Sequence, residues 1–233
     1  MAGRRSALGW IGIGLSLALL ALLFWQLVIL TQVIWWSRFD PGSTSFMRMR
    51  LAELRKTDAN ARLQQRWVPY DAVSVHLKRA VVAAEDDRFT SHEGFDWDGI
   101  QRALEKNERS GRMVAGGSTI SQQLAKNLFL SPSRSYVRKA QEALITVMIE
   151  TTWEKRRILE VYLNVVEWGN GVFGAEAAAQ HYYGISAARL SPAQAARLAV
   201  MLPNPRHYEH NFGARLRAHA GRIERRMAAT QLP

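Results

Sequence analysis

Glu85 closes the apolar run Ala80-Val81-Val82-Ala83-Ala84 and is followed at once by Asp86-Asp87-Arg88-Phe89-Thr90-Ser91-His92. An ionised carboxylate on the apolar face of a helix costs free energy unless something holds it there, so this placement points to proton transfer. The bland alternative is an acidic, solvated helix end. Glu142 is a second candidate, because Arg138 stands one turn before it and the two can pair. An exposed pair of that kind contributes only ~0–1 kcal/mol, but the same helix is apolar nearly all round downstream, which favours a buried or cleft-lining glutamate. Between the two acids, Gly116-Gly117-Ser118-Thr119 runs into a segment carrying Gln123, Lys126 and Asn127. A glycine-rich turn entering a helix presents free backbone N–H groups to an anion, and Gln123 and Lys126, three apart, share a face; an ordinary capped helix with a surface lysine would look similar. Two separated glutamates, with Lys126, Arg134 and Arg138 close to the second, suit chemistry on a sugar carrying a phosphate leaving group. One carboxylate accepts a proton from a nucleophilic hydroxyl while the cations stabilise charge on the departing phosphate. A glycosidase also uses two carboxylates, but has no need of the basic cluster. His92 and Asp96 have metal-ligand spacing on a helix, with no third ligand evident.

These side chains need helices to position them. Val73, Leu77, Ala80 or Val81, and Ala84 recur at helical spacing, and Glu85 extends that stripe, after a break at Val68-Pro69-Tyr70-Asp71. Gly111 to Gly117 is a small-residue stretch; Ser118 or Thr119 caps the next helix, with Gln122 completing a capping box after Thr119, and Ser131-Pro132-Ser133 ends it near Leu130. Tyr136 to Thr152 reads as a central buried helix, since Ala143, Leu144, Ile145, Val147, Met148 and Ile149 cover nearly every direction. Further helices are expected over Arg156 to Glu167, stopped by Gly169-Asn170-Gly171, over Gly174 to Tyr183, and from Ser191-Pro192 to Pro203-Asn204-Pro205. Met47 to Gln65 reads as an exposed, charged helix. No alternating strand, repeat or nucleotide-binding glycine motif is evident, so the fold class is mainly α.

The chain has 233 residues, a formal net charge of +11 and no cysteine. No disulfide framework or thiolate metal site can form, and the fold depends on its own core. Ser6 to Ser37 contains no Asp, Glu, Lys or Arg, and about 20 apolar residues suffice to cross a hydrocarbon core of ~30 Å. With no small-residue cleavage site in view, this is an uncleaved signal anchor. Arg4 and Arg5 favour an N-terminus inside, against Arg38, Arg48 and Arg50 beyond the other end, and Trp25, Trp35 and Trp36 are placed near the outer interface. The expected organisation is a tail over 1–8, a transmembrane anchor over 9–36, a linker and juxtamembrane helix over 37–66, and a catalytic domain over 67–233. Residues 1–37 hold only two of the bases, which leaves 29 against 20 acids and predicts an anionic partner.

The residues resemble the peptidoglycan glycosyltransferases of family 51, specifically the monofunctional, membrane-anchored type. The resemblance spans residues 68 to 212 in five ordered blocks: Glu85 to Asp96, Gly116 to Leu130, Arg138 to Glu142, Arg157 through Asn164 to Gly174, and Arg197 to Pro205. It implies a lysozyme-like large lobe, a smaller lobe beside the membrane and a cleft between them, in which lipid II is polymerised into β-1,4 glycan with release of undecaprenyl diphosphate. It implies that Glu85 is the general base and that Asp86, Phe89 and His92 shape the site around it. Gln123, Lys126, Asn127, Arg134 and Arg138 would then hold the donor, and Glu142 would be the second essential glutamate. Glu160 and Asn164 match a block whose role is helix packing or substrate contact. The implied setting is a bacterial inner membrane with the domain on the periplasmic side. Its partners would be the membrane, the growing glycan chain and cell-wall or division proteins, with no nucleic acid. A divalent cation, Mg or Mn, is an open expectation. There is no Ser-x-x-Lys and no Lys-Thr-Gly, the motifs of a transpeptidase half. A lytic muramidase and a non-catalytic, membrane-tethered scaffold are the competing readings.

Overall fold

The computed structural model describes residues 7–111, 116–133 and 135–233. Arg134 and most of the Gly111 to Gly117 stretch therefore lie outside or at the edge of the described residues. Helix α1, Ala7–Trp36, is long and apolar enough to cross a bilayer. Its last third is also packed on protein: Ile29 and Val33 are buried, Trp153 Nε1 donates to the Val33 carbonyl (2.8 Å), and Arg157 donates to the carbonyls of Trp36 and Phe39.

Helix α2 runs only from Ser45 to Leu54, not to Gln65 as its sequence suggests. Past Arg55 the Asp58 side chain accepts from the Asn60 N–H, a local turn that competes with helix. Gln64–Gln65 then forms strand β1, parallel to β3 (Val172–Phe173), which is antiparallel to β2 (Glu167–Gly169). This three-stranded sheet overturns the expectation of no strand; elements of two or three residues are too short to show alternation. Helix α2 rests on the domain: Arg50 donates two bonds to the buried Glu167 carboxylate (2.8 and 3.0 Å) and the helix packs on α5.

The core is built around α3 (Val75–Glu85), α5 (Ile120–Phe129), α6 (Tyr136–Thr152) and α7 (Lys155–Val165). Leu77, Val81, Leu124, Ile145, Ile149 and Ile158 are fully buried between them. Helix α4 (Trp97–Ser110) is capped by Asp96 and closed by Gly111 in the left-handed region. Helices α8 (Ala175–Tyr183), α9 (Pro192–Ala199), α10 (Pro205–His210) and α11 (Ala214–Arg226) complete the domain, α9 and α11 packing on α3. The helix read as reaching Glu167 stops at Val165, with Glu167 in β2, and the one after Ser191 stops at Ala199, short of Pro203. Helix α6 is not buried all round: Leu144 and Val147 are about half exposed, and Tyr136 and Val137 almost wholly so. An all-round apolar helix is consistent with a protein core or with lipid; here one face is packed in the core and the other is exposed.

Candidate active site

Glu85 is the last residue of α3. Ser74 caps the start of that helix, and the apolar stripe packed on α9 and α11 fixes its rotation, so the carboxylate emerges where the helix ends. Gln123 Nε2 donates to Glu85 Oε2 (2.8 Å), and the buried Tyr162 hydroxyl donates to Gln123 Oε1 (3.0 Å). The tyrosine thereby fixes which end of the amide faces the carboxylate. Burial pushes the Glu85 pKa up, against the pull of the Gln123 bond and the Lys126 charge. Glu85 lines a small cavity of about 70 Å³ with Asp96 and the turn Gly116 to Thr119.

Asp86 is buried and spans two elements: Oδ1 lies 2.9 Å from His92 Nε2, and Oδ2 accepts from the Ile120 N–H at the start of α5 (3.0 Å). His92 Nδ1 accepts from the Gly94 N–H (3.1 Å), so the proton sits on Nε2 and is donated to Asp86. Gly94, at φ +89°, must be glycine, since a Cβ would lie 2.8 Å from the Thr146 methyl; its carbonyl accepts from the Thr119 hydroxyl (2.7 Å). Thr119 and Gln122 form the capping box that the sequence predicts. Together these bonds lock the end of α3 to the start of α5, which sets Glu85 against Gln123. Phe89 is fully buried, edge-on to the His92 ring, and Asn127 is also buried, so neither side chain is open at the site surface. Asn164 resolves to packing: its amide brackets the Val68 backbone with two 2.9 Å bonds.

One turn beyond Gln123, Lys126 stands half-buried between the two glutamates. Burial lowers its pKa most; Glu142 opposes that, Arg138 and Lys139 add to it, and Glu85 opposes it again. No carboxylate lies within ion-pair distance of it among the described residues. Glu142, buried on α6, pairs with Arg138 (2.5 Å) and with Lys139, which the sequence reading passed over. A cation three residues before an acid on a helix was the available signal. Arg138 Nε is buried without a partner among the described residues. The described site thus joins Glu85, Gln123, Lys126, Arg138 and Glu142 along α3, α5 and α6, and adds Tyr162 and Lys139.

The residues do not fit a protein-held metal. Among those described no group of three or more His, Asp or Glu side chains converges. His92 and Asp96 have their ring nitrogens and carboxylate engaged by Asp86, Gly94, Gly99 and Arg88, and Glu142 already holds two cations.

A family profile described as Transglycosylase matches residues 51–229, which contains every residue of this site. The chain belongs to the transglycosylase family. It is 70% identical over 224 residues to the biosynthetic peptidoglycan transglycosylase of Azoarcus sp. (strain BH72), covering 96% of this chain and 97% of that one. It is 67% identical to the protein of the same name from Aromatoleum aromaticum, covering 95% and 97%, and 60% identical to that of Dechloromonas aromatica, covering 96% and 99%. The transglycosylase match begins at residue 51, within α2, and α1 lies outside it.

Proposed function

We propose that this protein is a peptidoglycan glycosyltransferase, an inverting enzyme that polymerises lipid II into β-1,4 glycan in cell wall synthesis, with Glu85 as its base. The observation that carries this reading is the carboxylate of Glu85, held by Gln123 with its pKa raised by burial, beside Lys126, one helical turn from Gln123, desolvated and without an ion pair among the described residues. The acceptor's 4-hydroxyl oxygen attacks the donor's anomeric carbon and its proton passes to Glu85. The bond from that carbon to the diphosphate oxygen breaks, and the electron pair leaves on undecaprenyl diphosphate. Lys126 and Arg138 meet the charge that develops there, a stabilisation that is large where water is excluded. Glu142, held by Arg138 and Lys139, keeps the cation cluster in place as its positioning residue. Direct displacement inverts the α-linked donor to a β-linkage with no covalent enzyme intermediate.

Helix α1 supports an anchor in the cytoplasmic membrane with the domain on the periplasmic side, where a lipid-linked substrate presents its head group. The test is incubation of the full-length protein with labelled lipid II. The expected result is polymer that a muramidase digests, with stoichiometric lipid diphosphate; no polymer, or solubilisation of purified sacculi by the protein itself, contradicts the proposal.

A further inference from the structure

A second cavity among the described residues is larger than the one at Glu85. It measures about 730 Å³ and lies between α4, the end of α9, α10 and α11. Lys106 reaches it from α4, and Arg215, His219 and Arg222 line it from α11. None of its lining residues is acidic. Lys106, Arg215 and Arg222 are exposed and make no ion pair among the described residues, unlike Arg156 and Arg206 elsewhere on the surface. His219 is partly buried, and burial, then Arg222 and Arg226, hold its pKa below the ordinary range, as expected in a positive field without a counter-charge.

The cations are spread out. Arg215, His219, Arg222 and Arg226 recur at steps of four, three and four and so lie on one face of α11, over about 16 Å of helix. A single phosphate would be met by converging donors, whereas a row suits a chain with several separated negative charges. Val200, Pro203 and Leu216 give the cavity apolar walls, and Tyr208 and Asn211 give it hydrogen-bonding groups, as an extended peptide requires. The row also leads to the active site. Arg226 donates to the Ala83 carbonyl (3.1 Å), two residues before Glu85, and pairs with Asp87 (3.0 Å), two residues after it. A lipid surface is the poorer match, because α11 packs on α3 and α9 while the anchor α1 packs on α6.

We propose that this cavity is a binding site for an acidic peptide in the aqueous phase, occupied by the peptide that the glycan substrate carries while its sugar lies at Glu85. The second half of that statement rests on the polymerase reading above. Binding is through carboxylates to Lys106, Arg215 and Arg222, and so adds affinity for substrate without touching the reacting atoms.

The experiment compares the full-length wild type with the Lys106→Gln/Arg215→Gln/Arg222→Gln variant in vesicles of neutral lipid. Each polymerises lipid II with free peptide carboxylates and lipid II with those carboxylates amidated. For the acidic substrate the variant should show KM raised about tenfold with kcat unchanged, as the loss of a few partly exposed charge pairs would give. Amidation should raise the wild-type KM by the same factor and leave the variant's unaltered. An unchanged KM in the variant, or an equal rise on both substrates, overturns the proposal. So does a defect that appears only as lost binding to anionic-lipid vesicles, which would assign the charges to the membrane. Failure of the wild type to polymerise either substrate contradicts the polymerase reading instead. The cavity is then decided by fluorescence anisotropy of a free labelled acidic peptide, which should bind the wild type and not the variant.

Discussion

Glu85 is harder to ionise where it sits than in water, because burial outweighs the Gln123 bond and the Lys126 charge. Its folded pKa lies above its unfolded one, so between the two the folded state holds the extra proton, and stability falls as pH rises through that window. Above the folded pKa the full cost of burying the charge remains. Glu85→Gln should therefore raise Tm at neutral pH, read by differential scanning calorimetry; a fall in Tm would show that the ionised form is net stabilising. The same shift sets the acid limb of kcat/KM above the ordinary carboxylate range, and the lowered Lys126 pKa sets the basic limb below that of a free lysine. Gln123→Leu removes a donor to the ionised form and should move the acid limb higher still; an unmoved limb would separate Gln123 from Glu85. Lys126→Ala should reduce kcat by about 10²–10³-fold, the cost of losing one donor to developing charge. Steady-state kinetics with lipid II checks it, and a loss confined to KM would assign Lys126 to ground-state binding alone.

Among the elements, the helices carrying the site were legible because their ends are written in local chemistry. Thr119 with Gln122 caps α5 as the sequence predicts, and apolar repeats mark α3 and α6, so Glu85, Gln123, Lys126, Arg138 and Glu142 could be placed on helices from spacing alone; the Ser74 and Ser135 caps of α3 and α6 emerge only in the structure. What joins the helices was not legible. The links from Asp86 to Ile120, Thr119 to Gly94, Tyr162 to Gln123 and Arg50 to Glu167 cross 25 to 117 residues of chain and have no periodic signature. Tyr162 reads as one more core aromatic between Val161 and Leu163, and only the fold turns its hydroxyl to Gln123. The short sheet was hidden for the same reason, since Gln64 and Gln65 become a strand only by pairing with Val172 and Phe173. The Arg50–Glu167 pair ties α2 to that sheet with both partners buried. Arg50→Ala leaves the Glu167 carboxylate buried and loses its two-pronged partner, which should cost about 3–5 kcal/mol. Chemical denaturation in detergent measures this, and a change below about 1 kcal/mol would place the pair in the exposed class.

At the scale of the whole molecule, the apolar helix α1 is coupled to α6, which carries Arg138 and Glu142. Gln26 on α1 and Gln141 on α6 exchange two amide bonds of 2.8 and 3.0 Å, immediately beside Glu142. Gln26 lies within the apolar span Gly9–Trp36, so the pair joins that span directly to the helix that carries Glu142. The contacts from Gln26 to Gln141 and from Val33 to Trp153 show α1 and α6 running in the same direction, with Tyr136 and Val137 exposed at the start of α6. With α1 in a bilayer, as proposed above, Tyr136 and Val137 meet lipid and Arg138 and Lys139 lie near its head groups. A nitroxide at position 137 in vesicles should be relaxed by oxygen rather than by a water-soluble nickel chelate, and the reverse would lift the domain clear of the membrane. The central claim, that Glu85 takes the acceptor's proton, is tested most directly by single-turnover polymerisation of lipid II with Glu85→Gln. The account predicts unimpaired lipid II binding with the chemical step slowed by about 10²–10⁴-fold; a rate near that of the wild type would contradict it.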